Sequence, residues 1–466
     1  MKVLLINPPW ERPESDARAK HKVISCLPSL GLGYIAAVLE QEGVAVKIVD
    51  LNVTREALGD LRGYLASLDF QPDYAGLTCA ATTIKGAFHI GGIVKAAFKD
   101  CKIVIGGVQP TVMPEEALQE PCIGYAVRGE GEMTLLEMVR SPNPEGAAGL
   151  SYKADGKIIH NPDRAPIADL DQIPFPAYHL FPSMAKYHPP EGLFQRLPAI
   201  NLITSRGCPY RCTYCATQTI WPGKLRFRSV NNVIGELQLL TDKYGIREIS
   251  FSDDTLALKR ERMVEMCERI INEKIDVTWS CNSIVKYIDA DLLRLMKAAG
   301  CHHICYGVES ANPQILKNIK KGITIEEAME AIRLTKLAGI TCRASFMFGN
   351  PGETAETIRE TVDFAIRANP DFAVFNISTP YPGTPLYKWA KRENRLLSED
   401  WEQYTGSIAH LRLDTIGREE LERLFKWAWR AFYFRPGYIL GRLKKIRSLY
   451  DLKAYMKGFF GFLLNR

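Results

Sequence analysis

The chain has 466 residues, enough for two to four domains at about 100–200 residues each, and its 46% hydrophobic and 24% charged residues supply ample material for packed cores. A disordered, collagen-like or small disulfide-stapled protein is excluded. Lys+Arg 59 against Asp+Glu 53 gives +6, too little over this length to point to nucleic acid, but the stretch from Ala431 to Arg466 alone carries +7.

The opening MKVLLINPPW enters a strand-like run without the parts of a signal peptide. No window of about 18 uninterrupted apolar residues is present, so no spanning helix is expected. A cytoplasmic chain with reduced thiols is the expectation. Over residues 1–140, short branched runs (Lys2–Ile6, Ala45–Val49, Tyr74–Thr78, Lys102–Ile105) alternate with helical spacing over Gly33–Gln41 and Thr83–Phe98. This pattern predicts an α/β domain, Rossmann-like and doubly wound, with helices on both faces of a parallel sheet. Ligands of such sheets sit at the carboxyl ends of strands, here marked by Pro8, Pro9, Thr78, Gly106, Gly107, Gly129, Glu130 and Gly131. Residues 141–195 are rich in Pro and Gly and read as a linker with one small hairpin. From 196 to 385, six strand–helix units recur, with strands at Ala199–Thr204, Glu248–Phe251, Val277–Ser280, His303–Gly307, Thr341–Phe348 and Phe372–Ile377. A full eight-fold barrel needs about 250 residues, so a partial (β/α)6 TIM-like barrel fits. Residues 386–466 read as a helical, basic extension.

Nine of the 12 cysteines are scattered and read as small buried hydrophobes. The other three, Cys208, Cys212 and Cys215, form C-x3-C-x2-C in SRGCPYRCTYC, at the end of the first predicted barrel strand. Structural zinc normally takes four ligands, and no nearby Cys or His pair supplies the fourth. Three soft thiolates suit a four-iron cluster with one iron left open.

This segment closely resembles the cluster loop of radical S-adenosylmethionine (SAM) enzymes. The resemblance implies that Cys208, Cys212 and Cys215 hold a [4Fe-4S] cluster whose open iron binds SAM, and that an electron from the cluster yields a 5′-deoxyadenosyl radical. Further matches follow in order. Ser252, Asp253 and Asp254 end the second strand near the SAM methionine moiety, and Gly307-Val308-Glu309-Ser310 resembles the GxES motif. Pro351-Gly352-Glu353-Thr354 resembles the PGET turn near the adenine. By the same resemblance Tyr214, Glu309, Ser310, Pro351 and Gly352 line the SAM site, and Arg343 reaches a SAM carboxylate.

Residues 1–140 resemble the cobalamin-binding domain that precedes many such barrels, through Leu30–Leu39, Val104–Glu116 and Val127–Glu132. Small residues at the sheet ends let backbone approach a large flat ligand. The histidine-ligating pattern D-x-H-x-x-G is missing: Ala87–Gly92 lacks the Asp and His21 lacks the pattern. Cobalamin bound without a histidine ligand from this chain is therefore expected, with His89 on a helix face.

The resemblance implies a cobalamin-dependent radical SAM methyltransferase acting on an unactivated carbon, with methylcobalamin as donor. A small-molecule or lipid-like substrate and a reductant such as flavodoxin or ferredoxin are expected, and no nucleic acid. Oxidative cyclisation or ring rearrangement, as in the anaerobic porphyrin-type ring cyclases, uses the same cofactor residues and stays open. Methylthio transfer is weakened by the wide spacing of the remaining cysteines. A non-catalytic cobalamin- or redox-responsive binding protein is the alternative of another class. The basic, aromatic tail reads either as a helical cap on the barrel or as a peripheral contact with an anionic membrane.

Overall fold

The computed structural model describes residues 1–10, 25–190, 192–223 and 225–443. The N-terminal sheet has parallel strands β1 (Lys2–Asn7), β2 (Ala45–Asp50), β3 (Tyr74–Cys79), β4 (Lys102–Gly107) and β5 (Tyr125–Val127), in the order β2-β1-β3-β4-β5. Successive β1 residues feed opposite cores. Val3 and Leu5 pack with α1 (Leu30–Gln41), while Leu4 and Ile6 pack with residues of α2 (Leu61–Ala66) and α3 (Ile84–Ala97). That division is the doubly wound arrangement the alternation predicts. The short helices α4 (Val108–Val112) and α5 (Pro114–Gln119) follow β4, and α6 (Gly131–Arg140) follows β5.

The sheet does not stop at residue 140. The hairpin β6 (Leu150–Ala154) and β7 (Lys157–His160) adds to β5 in antiparallel fashion, so part of the expected linker is a sheet edge. Its turn is Asp155-Gly156, both at positive φ, as a tight hairpin requires.

The second sheet contains β8 (Ala199–Leu202), β11 (Glu248–Phe251), β12 (Thr278–Ser283), β13 (Cys301–Glu309), β14 (Thr341–Phe348) and β15 (Phe372–Ile377). All are parallel, in that spatial order. Between β8 and β11, the two-residue strands β9 (Ser205–Arg206) and β10 (Arg226–Phe227) pair antiparallel. The intervening helices are α7 (Thr217–Ile220), α8 (Val230–Tyr244), α9 (Arg260–Asn272), α10 (Ala290–Ala298), α11 (Pro313–Asn318), α12 (Ile325–Leu337) and α13 (Ala355–Ala368). Helix starts are fixed by side chains: Ser229 caps α8, and Thr324 and Thr354 form capping boxes on α12 and α13. Outward residues such as Ile249, Trp279, Ile304, Phe346 and Phe375 form the core with these helices. Among the described residues no pairing joins β15 to β8, so the barrel is open.

The chain continues through α14 (Pro385–Arg392), α15 (Arg418–Tyr433) and α16 (Pro436–Leu443). Helix α15 covers the free edge of β15, where Tyr433 Oη donates to Ala373 O (2.7 Å) and accepts from Ala373 N (3.2 Å). An unpaired strand edge is thereby blunted. The run from 444 to 466, on which the cap and membrane readings rest, lies outside the described residues. No described helix is long and apolar enough to cross a membrane.

Candidate functional site

The loop after β8 carries the three clustered cysteines, and its start is held from below. Asp253, 1% exposed, accepts from Thr204 N (3.0 Å), Thr204 Oγ1 (2.8 Å) and Ser205 Oγ. Burial raises its carboxyl pKa and these hydrogen bonds oppose the rise. Further on, Thr213 N donates to Ile319 O (3.0 Å) and Thr213 O accepts from Leu386 N (2.9 Å). Cys208, Cys212 and Cys215 are free and partly exposed. Cys215 Sγ donates to Thr217 Oγ1 (3.2 Å), which donates to Asp254 (3.0 Å). Among the described residues no three His, Cys, Asp or Glu converge on a single metal ion. A four-iron cluster does not require that convergence, because each thiolate binds a different iron. The donor set, three thiols on one anchored and accessible loop, fits such a cluster.

Beside the loop, at the end of β13, lies a compact charged group. Glu309, at φ +69, accepts from Tyr214 Oη (3.0 Å) and from Lys321 Nζ (2.9 Å), and Lys321 Nζ also donates to Tyr214 Oη (3.2 Å). Burial works against the Lys321 ammonium, but Glu309 and Cys212 outweigh it and hold its pKa above the ordinary value. A Cβ at Gly307 would push aside the ends of Glu309 and Lys321, so the glycine leaves room for this pair. The group joins β13, the cluster loop and the segment after α11 at one point.

The other barrel positions differ in what they offer. Ser252 is exposed at the end of β11. Ser310 is buried against Thr361 Oγ1 (3.2 Å) and accepts from Asn312 N (3.1 Å). Pro351 O accepts from Asn318 Nδ2 (2.8 Å), which ties the Pro351-Gly352 turn to α11, and Gly352 is at φ +86. Arg343 lies lower in the barrel, paired in register with Cys305.

The strand ends of the N-terminal sheet face this mouth. Gly383, after β15, lies so close to Val112 of α4 and Thr219 of α7 that a Cβ would contact both. Asn201 Nδ2 of β8 donates to Pro28 O (3.2 Å). Gly107, at φ +110, sits so near Cys79 O that no side chain fits. Gly106 and Gly129 are open, with nothing nearer than 3.9 Å to a Cβ at Gly106 and nothing within 4 Å at Gly129. Gly129 N donates to Thr111 Oγ1 (3.0 Å). Thr78 is half-buried at the end of β3, and Pro8 and Pro9 are buried after β1, where Pro8 O accepts from Asn52 (3.1 Å). Open glycine backbone along several strand ends fits a large flat group such as cobalamin. His89 is exposed on α3, and His21 lies outside the described residues.

Glu130 has another use. Together with Glu132 it forms a buried network with Arg206, at 2.9 and 2.6 Å, and it also pairs with Arg226 at 2.9 Å. Glu130 Oε2 further accepts from Ile167 N (2.6 Å). The Arg206 guanidinium lies between the rings of Tyr34 (5.3 Å) and Trp221 (5.2 Å). Gly131 starts α6 against Ile35. Sequence reasoning missed Lys321, Glu132, Arg206 and Arg226. The Lys-Gly pair after α11 and the Arg two residues before Cys208 were the only signals.

A family model of the radical SAM superfamily matches residues 202–365, and one of the B12 binding domain matches residues 19–139. An uncharacterized methyltransferase of Pyrococcus horikoshii is 36% identical over 441 residues, covering 94% of this chain and 93% of that protein. The anaerobic magnesium-protoporphyrin IX monomethyl ester cyclase of Rubrivivax gelatinosus is 28% identical, covering 99% and 85% respectively. Among solved structures, the radical S-adenosylmethionine methyltransferase TsrM of Kitasatospora setae, with cobalamin and a [4Fe-4S] cluster bound, superposes with a TM-score of 0.67 at 21% identity, over 84% of this chain and 78% of that one. The cobalamin-dependent S-adenosylmethionine radical enzyme OxsB with aqua-cobalamin bound gives 0.74 at 19% identity, over 98% and 71%.

Proposed function

The chain belongs to the cobalamin-binding branch of the radical SAM superfamily, and from that premise we propose that it is a methyltransferase acting on an unactivated carbon of a small molecule. The observation that carries the reading is the meeting of the two strand-end faces. The cysteine loop of the barrel lies opposite the glycine-lined ends of β3 and β4, through Gly383, Val112 and Thr219.

When bound, the cluster and SAM supply a carbon-centred oxidant, and cobalamin supplies a methyl group. The chain supplies position. Cys208, Cys212 and Cys215 hold the cluster on a loop fixed by Asp253. Glu309, Tyr214 and Lys321 form a charged wall that would hold the amino-acid end of SAM, Lys321 answering its carboxylate and Glu309 its ammonium. The Pro351-Gly352 turn, fixed by Asn318, would flank the adenine, and exposed Ser252 and Asp254 complete the rim. Gly106, Gly107, Gly129 and Thr78 present backbone to the cobalamin. The barrel mouth between them holds the target carbon and keeps water from the reacting centre. A flavodoxin- or ferredoxin-type protein would supply the electron.

Anaerobic reconstitution with iron, sulfide and hydroxocobalamin tests this reading. About four irons and one cobalt per chain, with 5′-deoxyadenosine or S-adenosylhomocysteine formed under reduction, are expected. Iron without cobalt would remove methylcobalamin as donor. The cyclase relative that covers nearly the whole chain keeps oxidative cyclisation as the second reading. A product heavier by one methylene excludes it.

A further inference from the structure

TIM-type barrels fill their interiors with branched apolar side chains. In this barrel several inward positions are polar, namely Ser280 and Asn282 on β12, Cys305 on β13, Arg343 and Ser345 on β14, and Asn376 on β15, beside the apolar Phe372 and Val374. Cys305 Sγ and Ser345 Oγ lie 3.8 Å apart. Asn282 is exposed to the lumen at the level of Cys305, so the space is open there.

At this level stands a cation without a counter-ion. Arg343 makes no hydrogen bond or ion pair with any described residue, and its Nε is buried. Two residues before Cys305, on the same face, His303 is 2% exposed, stacks on Phe372 at 6.4 Å and leaves both ring nitrogens unpartnered. Burial, then His302 and Arg343, lower its pKa to about 3, so the ring is neutral at physiological pH. The nearby carboxylates are engaged elsewhere. Glu309 is held by Lys321, Glu248 by His302 (2.6 Å), and Asp371 accepts from Cys342 N and lies 3.8 Å from Arg442. Buried nitrogens without partners are rare, and Arg343 Nε and the two His303 ring nitrogens are of that kind. A ligand that brings anionic oxygens accepts from the Arg343 guanidinium and from the one protonated ring nitrogen of His303.

Depth identifies which ligand. Arg343 is three residues below Phe346, the register partner of Glu309, on β14, roughly 10 Å at about 3.3 Å per residue. On the radical SAM reading, the SAM carboxylate lies at the Glu309 level, beside Lys321, whose ammonium answers its charge there. We propose that Arg343 and His303 form a binding site for an acidic group of the substrate, a carboxylate or phosphate gripped by the guanidinium fork, while the reacting carbon lies at the barrel mouth. The substrate is thus an extended acid whose methylated carbon stands on the order of 10 Å from its anionic group. This assignment rests on the radical SAM reading, which puts the chemistry at the mouth.

The test uses anaerobically reconstituted holoenzyme as wild type, R343K, R343Q and R343M, titrated calorimetrically with succinate, with inorganic phosphate and, separately, with SAM. Wild type is expected to bind one succinate or phosphate per chain. R343M and R343Q should lose at least tenfold in that affinity and R343K less than threefold, with SAM affinity within twofold in all. Iron content of each variant reports whether it has folded, and R343Q carries the comparison if R343M fails to hold iron. No anion binding by wild type, or equal binding by the neutral variants, overturns the assignment. A tenfold loss of SAM affinity in R343Q overturns it as well, because the anion would then be SAM's own carboxylate. Absence of iron or SAM binding in the wild-type protein would instead overturn the functional reading and leave the anion titration to stand by itself.

Discussion

Lys321 follows Glu309 by 12 residues and turns inward, whereas Lys317 and Lys320 of the same segment are exposed. Lys320 and Gly322 on either side of it adopt positive φ, and that local backbone aims the ammonium at Glu309. K321M leaves the Glu309 carboxylate buried without its cation, a change that costs about 3 kcal/mol. Denaturant unfolding is expected to show that loss, and SAM titration at least a tenfold weaker affinity, with K321R recovering most of both. Glu353 sets a pH dependence of another kind. It is 1% exposed, and burial pushes its carboxyl up to about 7 against hydrogen bonds from Thr357 and Asn350. Its folded pKa is above the ordinary 4.5, so the neutral form stabilises the fold. That contribution is complete below about pH 4.5 and disappears as pH rises through about 7, amounting to roughly 3 kcal/mol at most. E353Q lacks this slope: relative to it, the wild type should lose melting temperature steadily between about pH 5 and pH 7.5.

At the scale of elements, Gly107 shows what a strand end has to be in this protein. It is at φ +110 with Cys79 O against it, so G107A must displace the ends of β3 and β4. The variant is expected to retain its iron and lose most of its cobalt on reconstitution, read by metal analysis of one sample. The strands were legible because their apolar runs and the turns between them agree, and the six barrel strands lie where those runs predict. The hairpin of β6 and β7 was less so. Tyr152, Ile158 and Ile159 alternate weakly with lysines, and what makes them strands is the free edge of β5, a tertiary fact. The cysteine motif was legible as local spacing. That Asp253 bonds back to Thr204 and Ser205, about 49 residues away in sequence, was not; an acidic residue at a strand end looks the same whether it faces a ligand or a loop. Ser310, turned into Thr361, is a second case of the same ambiguity.

Across the whole molecule, the two sheets are joined at charged residues. Arg206, two residues before Cys208, has its guanidinium 6% exposed between Glu130 and Glu132, which come from the start of α6 in the N-terminal domain. Burial opposes its charge, but Glu132 and Glu130 outweigh the burial and keep the pKa above its ordinary value. R206M strands the buried Glu132 carboxylate and leaves Glu130 with Arg226 alone, so a loss of about 3–5 kcal/mol is expected in unfolding experiments. Cleavage of SAM without methyl transfer should also rise relative to wild type, read as the ratio of 5′-deoxyadenosine to methylated product, because the two cofactor sites are then no longer held at one distance. The same junction bears on how such chains diversify. A barrel expressed alone exposes Arg206 and Arg226 without their acids, and an N-terminal domain exchanged from a relative brings its own charges to that surface. A swap that separates these four residues leaves buried charges unpaired, so it is expected to yield less folded protein than one that carries all four together.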